Sequence, residues 1–318
     1  PVLGFSSLGR IRILAFEYLD IDHREFKYTW SSWLFNYRDD IFHFLLGALL
    51  SAFTLFYFKS GSLSNSFIFM FIMLSLLLLN EVELFQKKGV VIRTSLVKLC
   101  LISYLIYIIP ILMGKTNSFV FYICILMALF ISLVGFFLLT KLNNKKDQNL
   151  KQLLIPHILV AFIFLSLYLF KVLPPVPLSL KYIGIFHGVN KVENVYTTKE
   201  LKSWWHFWSD GGEDFKAREG DKIYLFTKIF SPGGFSGKVF IHWLYKTKDG
   251  LKTSDKIPLE ITGGRAQGFR GYTYKSNYVP GEWQVRIETE EGLEIGRINF
   301  EVIEDTSVDE REVIEKQR

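Results

Sequence analysis

The hydrophobic pattern of the chain changes character once, near residue 180. Before that point five apolar runs each persist for 18 residues or more: Ile41 to Phe58, Ser62 to Leu79, Leu96 to Met113, Ser118 to Thr140 and Leu153 to Leu173. An 18-residue helix rises about 27 Å, close to the roughly 30 Å hydrocarbon thickness of a bilayer. A helix of a soluble bundle keeps a polar face at 3.6-residue spacing, whereas Phe67 to Leu79 and Phe119 to Leu139 are apolar all round. The runs therefore predict a membrane all-α bundle of about five transmembrane helices over residues 41–173. Residues 1–40 mix apolar and charged positions without a signal-peptide pattern, and are expected to form a cytoplasmic or interfacial segment.

From Lys181 the period becomes two. Trp283 to Ile287 and Ile298 to Val302 alternate apolar with polar, and Val239 to Tyr245 is apolar on both faces except at His242. These are strand patterns, punctuated by turn signals at Pro232-Gly233-Gly234, Asp249-Gly250, Gly263-Gly264, Pro280-Gly281 and Glu291-Gly292. Seven to nine short strands in this space predict an all-β immunoglobulin-like sandwich over residues 181–303. Between the two regions, Pro174, Pro175 and Pro177 predict a stiff, extended spacer over 174–180. Residues 304–318 are a charged tail, expected as a short helix or as solvated chain.

Charge adds orientation. The net charge is +6, and the whole surplus lies before residue 181. Arg10, Arg12, Arg24, Lys27 and Arg38 precede the first run, Lys87, Lys88 and Arg93 separate the second from the third, and Lys141, Lys145, Lys146 and Lys151 separate the fourth from the fifth. The alternate loops hold only Lys59 and Lys115. Cytoplasmic loops retain basic residues, so the first set is expected in the cytoplasm and, after five crossings, the β domain outside it, in the periplasm of a bacterium with two membranes. The β half has no basic cluster, which argues against a nucleic-acid partner.

Several segments resemble one bacterial family: Phe44 through Ser60-Gly61-Ser62-Leu63-Ser64 to Asn80-Glu81, the Pro174-Pro175-Val176-Pro177-Leu178-Ser179-Leu180 junction, and Gly263-Gly264-Arg265, Gly268-Phe269-Arg270 and Gly281-Glu282-Trp283. It is a multi-pass inner-membrane family whose C-terminal extracytoplasmic domain has no known function. The resemblance spans most of residues 40–303, implies the same architecture and brings no activity with it.

Candidate chemistry concentrates in two places. In Gly263 to Lys275 the glycines open the backbone, Arg265 and Arg270 offer planar forks for carboxylate or phosphate, Tyr272 and Tyr274 offer flat faces, and Lys275 adds a cation. The competing expectation is that the glycines shape a turn and the arginines pair with Glu260, Glu282 or Glu288. In Trp204-Trp205-His206-Phe207-Trp208 the three indoles, Trp204, Trp205 and Trp208, suit a protein, glycan or membrane-interface contact, or alternate rings filling the sandwich core. His187, His206 and His242 match no compact zinc spacing, and the buried-type cysteines Cys100 and Cys124 lie inside apolar runs, so no metal, cofactor or nucleophile is expected. Glu290 and Glu291 are expected as solvated charge. His43, Asn80, Glu81, Glu83, Lys98 and His157 fall near the cytoplasmic ends of the runs rather than at midspan, where a transport route places its polar groups. The sequence thus predicts a bilayer-embedded, non-enzymatic scaffold or accessory subunit that binds another envelope protein. Binding or processing of envelope glycan or lipid is the alternative, and transport the third.

Overall fold

The computed structural model describes residues 37–80, 82, 90–193, 195–201, 214–264, 267–307 and 311–318. Among the described residues the first elements are five apolar helices: α1 (Arg38–Ser60), α2 (Leu63–Asn80), α3 (Val90–Met113), α4 (Ser118–Asn143) and α5 (Ile155–Leu169). A short helical turn, Lys146–Asn149, and a π-helical segment, Leu150–Leu154, lead into α5. Four of these stretches, Arg38–Ser60, Val90–Met113, Ser118–Leu142 and Lys146–Leu169, are long and apolar enough to cross a membrane; the apolar part of α2 is shorter. Their outward positions carry Phe44, Leu112, Phe119, Phe130, Phe137 and Phe162, all well exposed. Apolar surface of that extent is costly in water and costs nothing against hydrocarbon.

Eleven strands follow among the described residues: β1 (Ser179–Phe186), β2 (Gly188–Val192), β3 (Val195–Leu201), β4 (Asp214–Ala217), β5 (Ile223–Phe230), β6 (Ser236–Thr247), β7 (Gly250–Thr262), β8 (Phe269–Lys275), β9 (Gly281–Thr289), β10 (Glu294–Glu304) and β11 (Val313–Gln317). They form three sheets, ordered β1-β5-β8, β4-β10-β9-β6-β7 and β11-β3-β2. The first two share one core, in which Ile185, Leu225 and Ile229 pack with Val239, Ile241, Trp243, Val285 and Ile287. The central strand β5 is buried on both faces: Ile223, Leu225 and Ile229 enter that core, whereas Phe226 joins Phe186, Val189 and Tyr196 in a second one beneath the third sheet.

Contact density divides the chain into two units, one of residues up to Phe53, Leu74–Leu105 and Cys124–Phe164, the other of Thr54–Met73, Ile106–Ile123 and Leu165–Arg318. In the first, Arg93 pairs with Asp39 at 3.2 Å, Asn80 Nδ2 donates to the His43 carbonyl at 3.4 Å, and Cys124 Sγ donates to the Leu105 carbonyl at 3.3 Å. In the second, helix ends and strand loops are joined directly. Glu291 accepts the Ser118 N–H at 3.1 Å, Ser236 N donates to the Gly114 carbonyl at 3.0 Å, and Asn65 Nδ2 donates to the Lys171 carbonyl at 2.6 Å. Gly114 is required there, since a Cβ on it would stand 2.5 Å from the Gly234 carbonyl oxygen, and its φ is +66°.

Four expectations are corrected. The Pro174 to Leu178 segment is a buried turn, with Val176 N bonded to the Pro174 carbonyl and Leu178 N to that of Pro175, because its apolar side chains, Val176 and Leu178 among them, are worth more packed than extended in water. The charged tail is a strand, β11, antiparallel to β3. Arg311 holds it down through Asp221 (2.6 Å), Asp305 (3.1 Å) and the Lys216 carbonyl (2.9 Å). Glu291 is a helix cap rather than solvated charge, since a carboxylate is favoured at a helix N-terminus. The turn joining β6 to β7 centres on Lys248-Asp249 with Gly250 at φ +113° opening the return strand, one residue before the Asp-Gly placement expected.

Candidate functional site

The segment singled out from its Gly, Arg and Tyr content is β8 with the turn before it. Its glycines answer to backbone geometry. A Cβ on Gly263 would lie 1.7 Å from the Pro232 carbonyl oxygen, and Gly268 takes φ +88° with the Ile229 carbonyl 3.0 Å from where its Cβ would stand. They fold the chain from β7 back onto the edge of the β1-β5-β8 sheet.

Strand alternation then sorts the side chains. Arg270, Tyr272 and Tyr274 share one face of β8, opposite Lys228, Phe226 and Tyr224 of β5. Tyr272 and Tyr274 keep 39% and 53% of their surface exposed. Tyr274 lies 5.8 Å from Tyr224 with the Lys222 ammonium 4.9 Å above its ring, and Tyr272 meets Tyr196 edge-on at 6.2 Å. The Tyr196 hydroxyl donates to the Arg270 carbonyl at 3.4 Å, and the Arg270 guanidinium donates to Gln267 Oε1. The result is a ledge of tyrosine rings flanked by cations on an edge strand. Such surfaces bury large rigid area at small entropic cost when a partner covers them.

Lys275 does not join the ledge. It points to the opposite face, is only 4% exposed, and its ammonium bonds Asp255 and Asn277 (3.2 Å) 5.3 Å from the Trp283 ring. Alternation along β8 puts odd positions inward, so its role is internal. The carboxylates expected to hold the arginines have other partners: Glu260 pairs with Lys238 at 3.6 Å, Glu282 with Lys246 at 2.6 Å, and Glu288 with His242 at 3.3 Å. Arg265 and the Trp204, Trp205 and Trp208 cluster lie outside the described residues. Tyr196, Lys222 and Tyr224 were not foreseen. The Tyr224-Phe226-Lys228 alternation on β5 was the signal, but which strand would lie beside it was not.

The histidines are set in local networks. His187 stacks on Phe215 at 4.1 Å and its Nε2 bonds the Lys216 carbonyl at 3.0 Å; burial lowers its pKa from the usual histidine value. His242 bridges Glu288 through Nδ1 and the Thr253 hydroxyl through Nε2 at 2.8 Å, on the face of β6 away from the core. Among the described residues no group of three or more His, Cys, Asp or Glu side chains is placed to hold a metal.

A family model described as "Protein of unknown function (DUF2914)" matches residues 236–302, from the start of β6 to near the end of β10. The Gly263-Gly264-Arg265, Gly268-Phe269-Arg270 and Gly281-Glu282-Trp283 elements fall inside that match, and the helical segments and the Pro174 junction outside it. Among solved structures, 38% of the chain is similar to 97% of an immunoglobulin-like protein from Pseudomonas aeruginosa, at 13% identity and a TM-score of 0.23. A beta-glucosidase from Listeria innocua is similar over 33% of this chain and 16% of its own, at 13% identity and a TM-score of 0.20. The alkylpurine DNA glycosylase AlkC of Pseudomonas fluorescens is similar over 64% of this chain and 51% of its own, at 11% identity and a TM-score of 0.23. No curated protein matches the chain. The C-terminal β-rich region is thus where the chain matches a described family, and that family has no assigned function.

Proposed function

We propose that the chain is a non-enzymatic scaffold or accessory subunit of the bacterial inner membrane, with five crossings and a periplasmic immunoglobulin-like sandwich that binds another envelope protein. The observation that carries the binding role is the exposed pair Tyr272 and Tyr274 on an edge strand, backed by Tyr196 and Tyr224. Large rings left in solvent on a sheet edge, with cations beside them, have the composition of a protein contact. The apolar outward faces of the helices support embedding in a bilayer, and the bias of twelve basic residues against two supports the orientation.

The test uses the tagged full chain in its own host. One protein is expected to copurify in fixed stoichiometry, and Tyr272→Ala with Tyr274→Ala is expected to abolish its recovery while the melting temperature stays unchanged. Full recovery with the folded double variant refutes the assignment. A glycan reading draws on the same ledge, since Tyr274 with Lys222 above it offers a sugar a stacking face and a polar neighbour. Saturable sedimentation of the full chain with peptidoglycan, lost in Tyr274→Ala, would select that reading over the protein partner.

A further inference from the structure

The connection between α1 and α2, the start of β1 and the start of β10 enclose an open cavity of about 580 Å³. Lys59, Lys181 and Arg297 line it together with Ser62, Ser64 and Ser179, and among the described residues none that lines it is acidic. Phe58, Leu180 and Ile295 form its apolar side.

Two sheet irregularities build this cavity. The register of β1 on β5 skips between Leu180 and Tyr182, and that of β10 on β9 skips between Glu294 and Gly296. Lys181 and Ile295 are therefore the extra residues of two β-bulges, and both line the cavity. Bulges re-aim side chains out of strand alternation and recur beside binding sites. Two glycines set the walls close together. A Cβ on Gly296 would stand 2.3 Å from the Leu180 side chain, and one on Gly61 would stand 2.6 Å from Met70 and 2.9 Å from Pro174.

Two of the three cations are held. Glu294 fixes the Arg297 guanidinium through Nε at 2.6 Å and Nη2 at 2.5 Å, which offsets its charge, and the Lys181 ammonium stands 5.1 Å over the Phe230 ring. Lys59 and Lys181 are therefore the cations that carry the site's charge. Lys59 sits in the last turn of α1, where a cation offsets the negative end of that helix, and α2 begins beside the cavity with its positive end. Dispersed cations beside serines match an anion of several oxygens. The apolar side, and the position at the end of an apolar helix, match a group attached to an acyl chain.

We propose that this cavity binds the phosphate of an anionic lipid headgroup. The site is separate from the tyrosine ledge on β8 and stands or falls without it. The test titrates the full chain, in an uncharged detergent, with dihexanoyl phosphatidylglycerol and separately with inorganic phosphate, by calorimetry. Saturable phosphatidylglycerol binding is expected, weakened at least about tenfold by Lys59→Gln with Lys181→Gln and retained by the corresponding Lys→Arg pair. Lipid binding that inorganic phosphate does not displace assigns the site to a lipid. Displacement by phosphate, lost in the Gln pair, keeps the phosphate site and moves its source to solution. No saturable binding of either probe, or equal binding by the Gln pair, overturns the proposal. Should the pair melt lower than the parent, the single Lys59→Gln at the exposed helix end carries the comparison.

Discussion

Lys275 offers the sharpest test of how the β domain is held together. Its ammonium is buried against Asp255, Asn277 and the Trp283 ring, whereas the Asp255 carboxylate is 39% exposed. The two ends of the pair therefore respond differently to loss of the other. Asp255→Ala leaves a buried ammonium with one amide oxygen and a ring face, a loss of about 3–5 kcal/mol for a fully buried pair. Water at the exposed carboxylate screens the interaction, which reduces the expected cost to about 1–2 kcal/mol. For a region of this size that is a fall of roughly 3–6 °C in melting temperature. Lys275→Met keeps the stem against Trp283 and removes the charge together with its need for a partner, so its cost is expected below about 1 kcal/mol. Thermal unfolding of the detergent-solubilised chain, followed by far-ultraviolet circular dichroism, reads both. The pair also has a pH signature. The Lys275 ammonium bonded to Asp255 holds that carboxyl below the usual carboxylate range, so the stabilisation is complete above that range and is lost as the pH falls through the lowered value. Asp255→Ala should flatten this acid limb. Equal losses in the two variants, or an unchanged acid limb in Asp255→Ala, would refute the reasoning.

Two further outcomes follow from the geometry. Arg311→Ala removes the fork that joins the tail to Asp221, Asp305 and the Lys216 carbonyl, so limited proteolysis should cut between residues 306 and 318 several-fold faster, and Arg311→Lys should restore only part of the protection. Cysteines placed at the exposed positions Lys115 and Lys145 should label from opposite sides of the membrane with an impermeant reagent, against a silent background because Cys100 and Cys124 are buried; labelling of both from one side would overturn the orientation.

Hydrophobic period is a local property, and what depends on it was legible. The apolar runs became helices with ends shifted by a few residues, and the alternating segments Trp283 to Ile287 and Ile298 to Val302 became β9 and β10. Gly264 and Gly268 take a positive φ that residues with a Cβ rarely adopt, in line with one of the two readings the glycines allowed. The facing of Arg270, Tyr272 and Tyr274 was implicit in their spacing of two.

Pairing between distant segments was not legible. Val313–Gln317 has no apolar alternation that would mark a strand; it is one because β3 presents a free edge and Arg311 finds carboxylates from residues about 90 and six positions earlier. Lys275 and Arg270 look alike in sequence, and only the sheet that β8 joins decides which enters the core and which meets solvent. The cavity at Lys59, Lys181 and Arg297 left no trace in the one-dimensional pattern. Its residues come from three separate stretches, brought together by bulges whose extra residue depends on the register of the neighbouring strand, a quantity that exists only once the sheets have formed.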